Sequence, residues 1–236
     1  MVATLRAALA ITALAVVAAL ASDVAPELRA LIEDFQAHRR VAVGYLRTDN
    51  ADLGAFEVER LRDRWIANVK KIPPALLRED LKAAIAQTET ALHRSLQAAD
   101  NGDLEQASVA LERADERLTA WRRANGMRLF SDCIAETSAV YERLDPHRPS
   151  ASNLSDPALA SAVVAAASAT QAALARCDRE APAGIRSEPE FRRLIDGMTA
   201  SLRQVPDAVT RNDDAYLHRL LIEQRAFMRL LSFRYG

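Results

Sequence analysis

The sequence has few of the residues that interrupt helices or favour β-strands. Aromatic residues make up 5% of the 236 residues, and glycine and proline contribute only 7 and 9. Alternating runs of β-branched and polar residues are also missing, and apolar residues recur instead at spacings of three and four. This pattern excludes a turn-rich β fold and predicts an all-α protein.

The common catalytic motifs are missing as well. The sequence contains no G-x-S-x-G nucleophile elbow, no H-E-x-x-H zinc motif, no glycine-rich phosphate loop and no C-x-x-C-H haem attachment motif. A net charge of −1 provides no global field that would attract nucleic acid, and the arginines alternate with acidic residues. The familiar enzyme classes are therefore disfavoured, and no nucleic-acid partner is predicted.

The first 21 residues are predicted to be a cleaved signal peptide. Arg6 precedes an apolar run from Ala7 to Leu20, and Ala19 and Ala21 form the small-x-small pattern that precedes a cleavage site. The run of about 14 residues is shorter than the roughly 20 that span a bilayer, although an uncleaved anchor is the alternative. We expect a mature chain in a bacterial periplasm, with no transmembrane segment.

Short polar turns join helical segments along the mature chain. Three such turns lie at Asp49 to Asp52, Asp100 to Asp103 and Asn212 to Asp214. The apolar stripes of the first two helices include Tyr45, Leu53 and Phe56, which we expect to be buried. Because helices joined by short turns pack as antiparallel neighbours, the sequence predicts antiparallel helical hairpins, packed as one elongated bundle or as two adjoining bundles.

A loop rich in proline and serine interrupts the helical pattern near residue 150. We expect it to separate two parts of the chain, since few contacts cross such loops. The predicted organisation is an N-terminal hairpin bundle over residues 22–145, a loop over 146–156 and a C-terminal helical segment over 157–236 that packs with the helix at 127–145.

The chain has two cysteines, Cys133 and Cys177, which fall on apolar faces of the helices on either side of this loop. In an exported protein, a single pair of cysteines most simply forms one disulfide. The register of two antiparallel helices would favour a partner about one turn before Cys177. Two separately buried thiols are therefore the alternative.

Three of the four histidines follow a carboxylate by four residues: His38 after Asp34, His93 after Glu89 and His218 after Asp214. Residues four apart share a helix face, so each pair could supply two ligands to one cation or form a weak surface ion pair. The candidate metal ligands are Asp34, His38, Asp214 and His218. A haem could add one of the methionines Met127, Met198 and Met228, although nothing in the sequence requires a cofactor.

Charged residues occupy faces of the first two predicted helices that should be apolar. His38 and Arg39 lie on the inward stripe of the first helix, together with Tyr45, and Glu57 and Arg60 lie on the second. A buried charge must be paired, so these residues predict an internal network or a pocket for an anionic ligand. A peripheral second helix with a narrow apolar stripe is the alternative.

These features support three functional hypotheses. The first is an exported, non-catalytic helical protein that presents a face or groove to another protein or to a small-molecule ligand. The second is a metal- or haem-binding bundle, and the third is an enzyme with an unfamiliar site around Arg39, Tyr45 and Glu57. The lack of catalytic motifs favours the first.

Overall fold

The computed structural model describes residues 25–148 and 154–236. Within these ranges the protein is all-helical and has no β-strand, as the composition predicts. The predicted signal peptide lies outside the described residues. The α-helices are α1 (Pro26–Leu46), α2 (Ala51–Val69), α3 (Glu79–Asp100), α4 (Leu104–Ala124), α5 (Phe130–Tyr141), α6 (Pro157–Glu180), α7 (Ala183–Arg186), α8 (Pro189–Leu202), α9 (Val205–Thr210) and α10 (Asp214–Tyr235). Two 3₁₀ turns occupy Pro74–Leu76 and Asp145–His147.

The described residues divide into two compact units, with the boundary between Arg128 and Leu129. In the first unit, α1 contacts α2, α2 contacts α3, α3 contacts α4, and α4 also contacts α1. In the second, α5 and α8 each contact both α6 and α10, and α9 also contacts α6 and α10. The division falls just before α5, so α5 and α6 belong to the same unit.

The core of the first unit forms where the apolar stripes of its helices meet. Phe35 of α1 and Trp65 of α2 are almost fully buried, with ring centroids 5.4 Å apart in an edge-to-face arrangement. Burying one such side chain contributes about 1.5 to 3 kcal/mol. At Gly54, an added Cβ would lie 2.7 Å from Cδ2 of Leu46, so this glycine allows α1 and α2 to approach closely near their turn.

The three predicted polar turns share one local structure. In each, a residue with positive φ ends one helix: Asp49 (54°), Gly102 (76°) and Asn212 (52°). The next residue caps the following helix with its side chain: Asn50, Asp103 and Asp213 accept from the backbone N–H groups of Leu53, Gln106 and Tyr216. Gly, Asn and Asp tolerate the left-handed conformation, and Asn and Asp are strong caps. Local sequence therefore determines where these helices begin and end.

The predicted burial of Tyr45, Leu53 and Phe56 is wrong. These side chains are 38%, 43% and 57% exposed, and they flank the turn between α1 and α2. The buried stripe of α2 instead runs through Gly54, Glu57, Val58, Leu61 and Trp65. The helical period was predicted correctly, but the buried face of α2 includes Gly54, which packs closely against Leu46, and Leu53 and Phe56 lie outside this face.

The sequence predicts no transmembrane segment after the signal peptide. One helix of the second unit nevertheless has the length and composition of a membrane-spanning helix. By length and composition, α6 is long and apolar enough to cross a bilayer, with a mean hydropathy of 1.6 over its most apolar window. Its many alanines and the absence of charge before Arg176 explain this value. The face of α6 that carries Val163, Leu174 and Cys177 is fully buried in the second unit, whereas 28% of the apolar window as a whole is buried. Core helices of soluble proteins meet the same length and composition criteria.

Asp80 joins the beginning of α3 to the end of α4. Its carboxylate accepts hydrogen bonds from the guanidinium of Arg78, from Nε1 of Trp121 at 2.8 Å and from the amide of Asn125. These donors, Arg78 most strongly, hold the pKa of Asp80 well below its ordinary value. The ionised carboxylate is therefore the form that this contact stabilises.

We expect Asp80→Asn to destabilise the protein near pH 7 and to have a smaller effect near pH 3. Folding lowers the pKa of Asp80 from 3.8, so its contribution to stability is present above 3.8 and is lost as the pH falls toward the folded pKa. Urea unfolding of both proteins at about pH 7 and about pH 3 measures the difference. Asp100→Asn, at the exposed end of the same helix, is the control. An effect of Asp80→Asn that is equal at both pH values would contradict this linkage.

Candidate functional site

The residues of the predicted network lie in separate contacts. Glu57 is buried and pairs with Arg60, one turn along α2, at 3.6 Å between Oε1 and Nη1. His38 contacts Asp34 on its own helix, and Arg39 contacts α4. In the described parts of the chain, no hydrogen bond or ion pair joins Glu57 to His38 or Arg39. The structure thus does not bring these side chains into one network.

The carboxylate of Asp34, a candidate metal ligand, connects α1 to α2. Arg64 donates to its Oδ1 at 2.6 Å and to its Oδ2 at 3.3 Å, and the amide of Asn68 donates to Oδ2 at 2.9 Å. Nδ1 of His38 lies 2.9 Å from the backbone carbonyl oxygen of Asp34 and 3.7 Å from Oδ1. The carboxylate of Asp34 therefore forms an ion pair with Arg64 and accepts a hydrogen bond from Asn68, and both contacts join α1 to α2.

The second candidate pair, Asp214 and His218, has no mutual contact. Nδ1 of His218 contacts the backbone carbonyl oxygen of Arg148, and Oδ1 of Asp214 is buried without a hydrogen-bond partner. Across residues 25–148 and 154–236, no group of three or more His, Cys, Asp or Glu side chains is arranged to hold a metal ion. The methionines considered as haem ligands are buried among apolar side chains: Met127, Met198 and Met228.

The structure brings the two cysteines together, as the sequence predicts. Cys133 of α5 and Cys177 of α6 are joined at an S–S distance of 2.13 Å, with their Cα atoms 5.5 Å apart. Both are fully buried, and the hydroxyl of Thr137 donates to the carbonyl oxygen of Cys133 at 2.9 Å. The register of a tight hairpin does not apply here, because a long connection separates Tyr141 from Pro157.

A half-buried polar cluster lies between α1 and α4. Nη2 of Arg39 is 3.4 Å from Oδ2 of Asp115, and the two side chains are 20% and 26% exposed. Nε of Arg39 and Oδ1 of Asp115 are buried without a hydrogen-bond partner. Burial, and secondarily the charge of Arg39, lowers the pKa of the neighbouring Arg40, whereas Asp115 opposes this effect. Asp115 is therefore the counter-charge to two adjacent cations.

An open groove of about 340 Å³ runs along α3 and α4. This volume lies at the lower end of the range for small-molecule sites, roughly 300 to 1,000 Å³. Residues of both helices line it: Ala86, Gln87, Thr90, Ala91 and Arg94 from α3, and Arg113 and Arg117 from α4. The small alanine side chains leave the space, and longer polar side chains surround it.

The three arginines of the groove have no acidic partner in the described ranges. Arg94, Arg113 and Arg117 are exposed, and none forms an ion pair with a carboxylate. The hydroxyl of Thr90 donates to the carbonyl oxygen of Ala86 at 2.9 Å, so its lone pairs remain available as acceptors. The groove is therefore cationic and also contains hydrogen-bond acceptors.

The sequence contains little that indicates this groove. Arg113 and Arg117 are four residues apart and so share a face of α4, which is the one signal that the sequence contains. Glu112 and Glu116 alternate with them, so the segment resembles an ordinary solvated helix. Only the packing of α3 beside α4 places Arg94 at the same groove.

Comparisons with protein-family models, with curated proteins and with solved structures found no match to this chain. The arginine-lined groove and the Arg39–Asp115 cluster are therefore interpreted from their own geometry.

Proposed function

We propose that the protein is an exported, non-catalytic helical protein that binds an anionic ligand in the groove between α3 and α4. The observation that carries this proposal is the row of three groove arginines without acidic partners. Guanidinium groups bind carboxylates and phosphates through paired, charge-assisted hydrogen bonds. An anion in the groove would also relieve the repulsion among the three cations.

In this proposal, α1 with α2 and α3 with α4 form antiparallel hairpins, and the groove lies on the exposed surface of the second hairpin. Two hydrogen bonds support the antiparallel register of α3 and α4. The hydroxyl of Ser95 donates to the carbonyl oxygen of Ala107 near one end, and Nε1 of Trp121 donates to Asp80 near the other, each at 2.8 Å. Because these hydrogen bonds lie near the two ends of the helix pair, they hold α3 and α4 in a fixed register beside the groove.

We also propose export to the periplasm, with cleavage of the signal peptide after Ala21. The bonded pair Cys133 and Cys177 supports this, because disulfides persist in oxidising compartments. In the mature protein, α6 would then be a core helix of the second unit. The burial of its Val163, Leu174 and Cys177 face supports that assignment.

We expect Arg113→Gln combined with Arg117→Gln to weaken binding of tripolyphosphate, used as a generic polyanion, by about 2- to 30-fold. Each exposed ion pair contributes about 0.2 to 1 kcal/mol, and two are removed. Isothermal titration at low ionic strength measures the affinity, and added salt should reduce it, since the groove is open to solvent.

The matched control for this test is Arg47→Gln combined with Lys70→Gln, which removes the same charge from exposed positions outside the groove. The affinity of this control variant for tripolyphosphate should stay close to that of the wild-type protein. Equal weakening in both double variants would show attraction by overall charge alone. An absence of binding by the wild-type protein would refute the proposed function.

A further inference from the structure

We infer that the groove binds a short extended segment of acidic peptide whose carboxylates occur on alternate residues. This inference rests on the proposed anion-binding function and specifies the chemistry of its ligand. It follows from the spacing of the arginines, from the acceptors between them and from the open shape of the groove.

The three arginines form a row along the groove. Arg113 and Arg117 are four residues apart on α4, so their Cα atoms are separated by about 6 Å along the helix axis. The hydrogen bond from Ser95 to Ala107 places Arg94 roughly five residues, or about 7.5 Å, from Arg113 along the same direction. Side chains on one face of an extended chain recur every two residues, about 6.6 to 6.8 Å. The spacing of the arginines along the helix axis, about 6 to 7.5 Å, therefore matches the spacing of acidic side chains at every second residue of an extended peptide.

Two side chains among the arginines provide hydrogen-bond acceptors. Thr90 donates its proton to the backbone of Ala86, which leaves its oxygen lone pairs as acceptors, and the amide of Gln87 supplies a carbonyl oxygen. A fully ionised inorganic anion has no donor for these groups. A peptide has one N–H group in nearly every residue, so a peptide can donate to these acceptors, which a fully ionised simple anion cannot do.

The shape of the groove is suited to a chain that passes through it. Ala86 and Ala91 present only methyl groups, which leaves room for a peptide backbone to approach the helices. From Arg94 to Arg117 the row extends about 13 Å, the length of roughly four extended residues. The ligand is therefore a short linear segment.

Two capped peptides of identical composition test this inference. In Glu-Ser-Glu-Ser-Glu the carboxylates alternate, and in Glu-Glu-Glu-Ser-Ser they are contiguous, so net charge is the same. We expect the alternating peptide to bind the wild-type protein about 1.4- to 5-fold more tightly, the value of one additional exposed ion pair. Arg94→Gln should abolish this preference, because the third cation of the row is then missing.

A second variant separates the peptide contacts from the charge. Gln87→Leu combined with Thr90→Val removes the acceptors but no charge, and it should weaken the alternating peptide more than it weakens tripolyphosphate. Circular dichroism verifies that each variant is folded.

Equal affinity of the two peptides would overturn the peptide assignment, and so would equal weakening of peptide and tripolyphosphate binding in the acceptor variant. If tripolyphosphate still binds the wild-type protein in the first case, the groove remains an anion site and only the ligand class is wrong. If neither peptide nor tripolyphosphate binds, the proposed function falls as well.

Discussion

Removing the bond between Cys133 and Cys177 should lower the free energy of unfolding of the second unit by about 2 to 5 kcal/mol. The bond joins residues 44 positions apart, and the chain-entropy model gives about 4 kcal/mol for a loop of this length. The two side chains are fully buried between α5 and α6, so the bond also holds these helices together in the core. This contribution is a large part of the total free energy of unfolding of a domain of about 100 residues.

Denaturant unfolding with and without reductant measures the effect, and the Cys133→Ala and Cys177→Ala double variant provides the matched control. Reductant should shift the midpoint of the wild-type protein and should leave that of the double variant unchanged. Two thiols that react with Ellman's reagent in unfolded, non-reduced protein would disprove the bond.

Asp115→Ala should cost about 1 to 3 kcal/mol, the second-largest effect that we expect. The substitution removes the counter-charge of Arg39 and Arg40 in a half-buried position between α1 and α4. Losing one partner of a fully buried pair costs about 3 to 5 kcal/mol, and the 20% and 26% exposure of these side chains reduces that value. Urea unfolding measures the change in the free energy of unfolding.

Two acidic residues serve as controls for Asp115. Glu57→Ala should cost less than about 1 kcal/mol because its partner Arg60 is 53% exposed, and Glu116→Ala, on the exposed face of α4, should cost a similarly small amount. Combining Asp115→Ala with Arg39→Met should recover part of the loss, since the unpaired cation is then replaced by an apolar side chain. A larger effect for Glu57→Ala than for Asp115→Ala would favour the network predicted from the sequence.

The residues of the candidate sites show where sequence-based prediction stops. The charged residues of α1 were recognised as unusual, but the acidic partner of Arg39 is Asp115, 76 positions away on α4. Its pattern within α4 is that of an ordinary amphipathic helix, so nothing local connects it to α1. Arg94 and Arg117 are likewise exposed residues on separate helices, and each by itself resembles a solvated side chain.

The helical class and the positions of the polar turns can be predicted from the sequence alone, because both depend on interactions within a few residues. Helical spacing follows from apolar periodicity, and the ends of α1, α3 and α9 follow from left-handed Asp49, Gly102 and Asn212 with the capping residues after them. The cysteine pair could also be proposed, since only one pairing exists.

The face that each helix buries and the pairing of charged side chains depend instead on how the helices pack against one another. The buried stripe of α2 includes Gly54, where α1 approaches closely, so Phe56 lies outside this stripe although its spacing suits a core position. The packing of α3 against α4 creates the groove and gathers its arginines, and the contact of α1 with α4 pairs Arg39 with Asp115. These outcomes depend on the shapes and distances of side chains that are far apart in the chain, which periodicity within one helix does not specify.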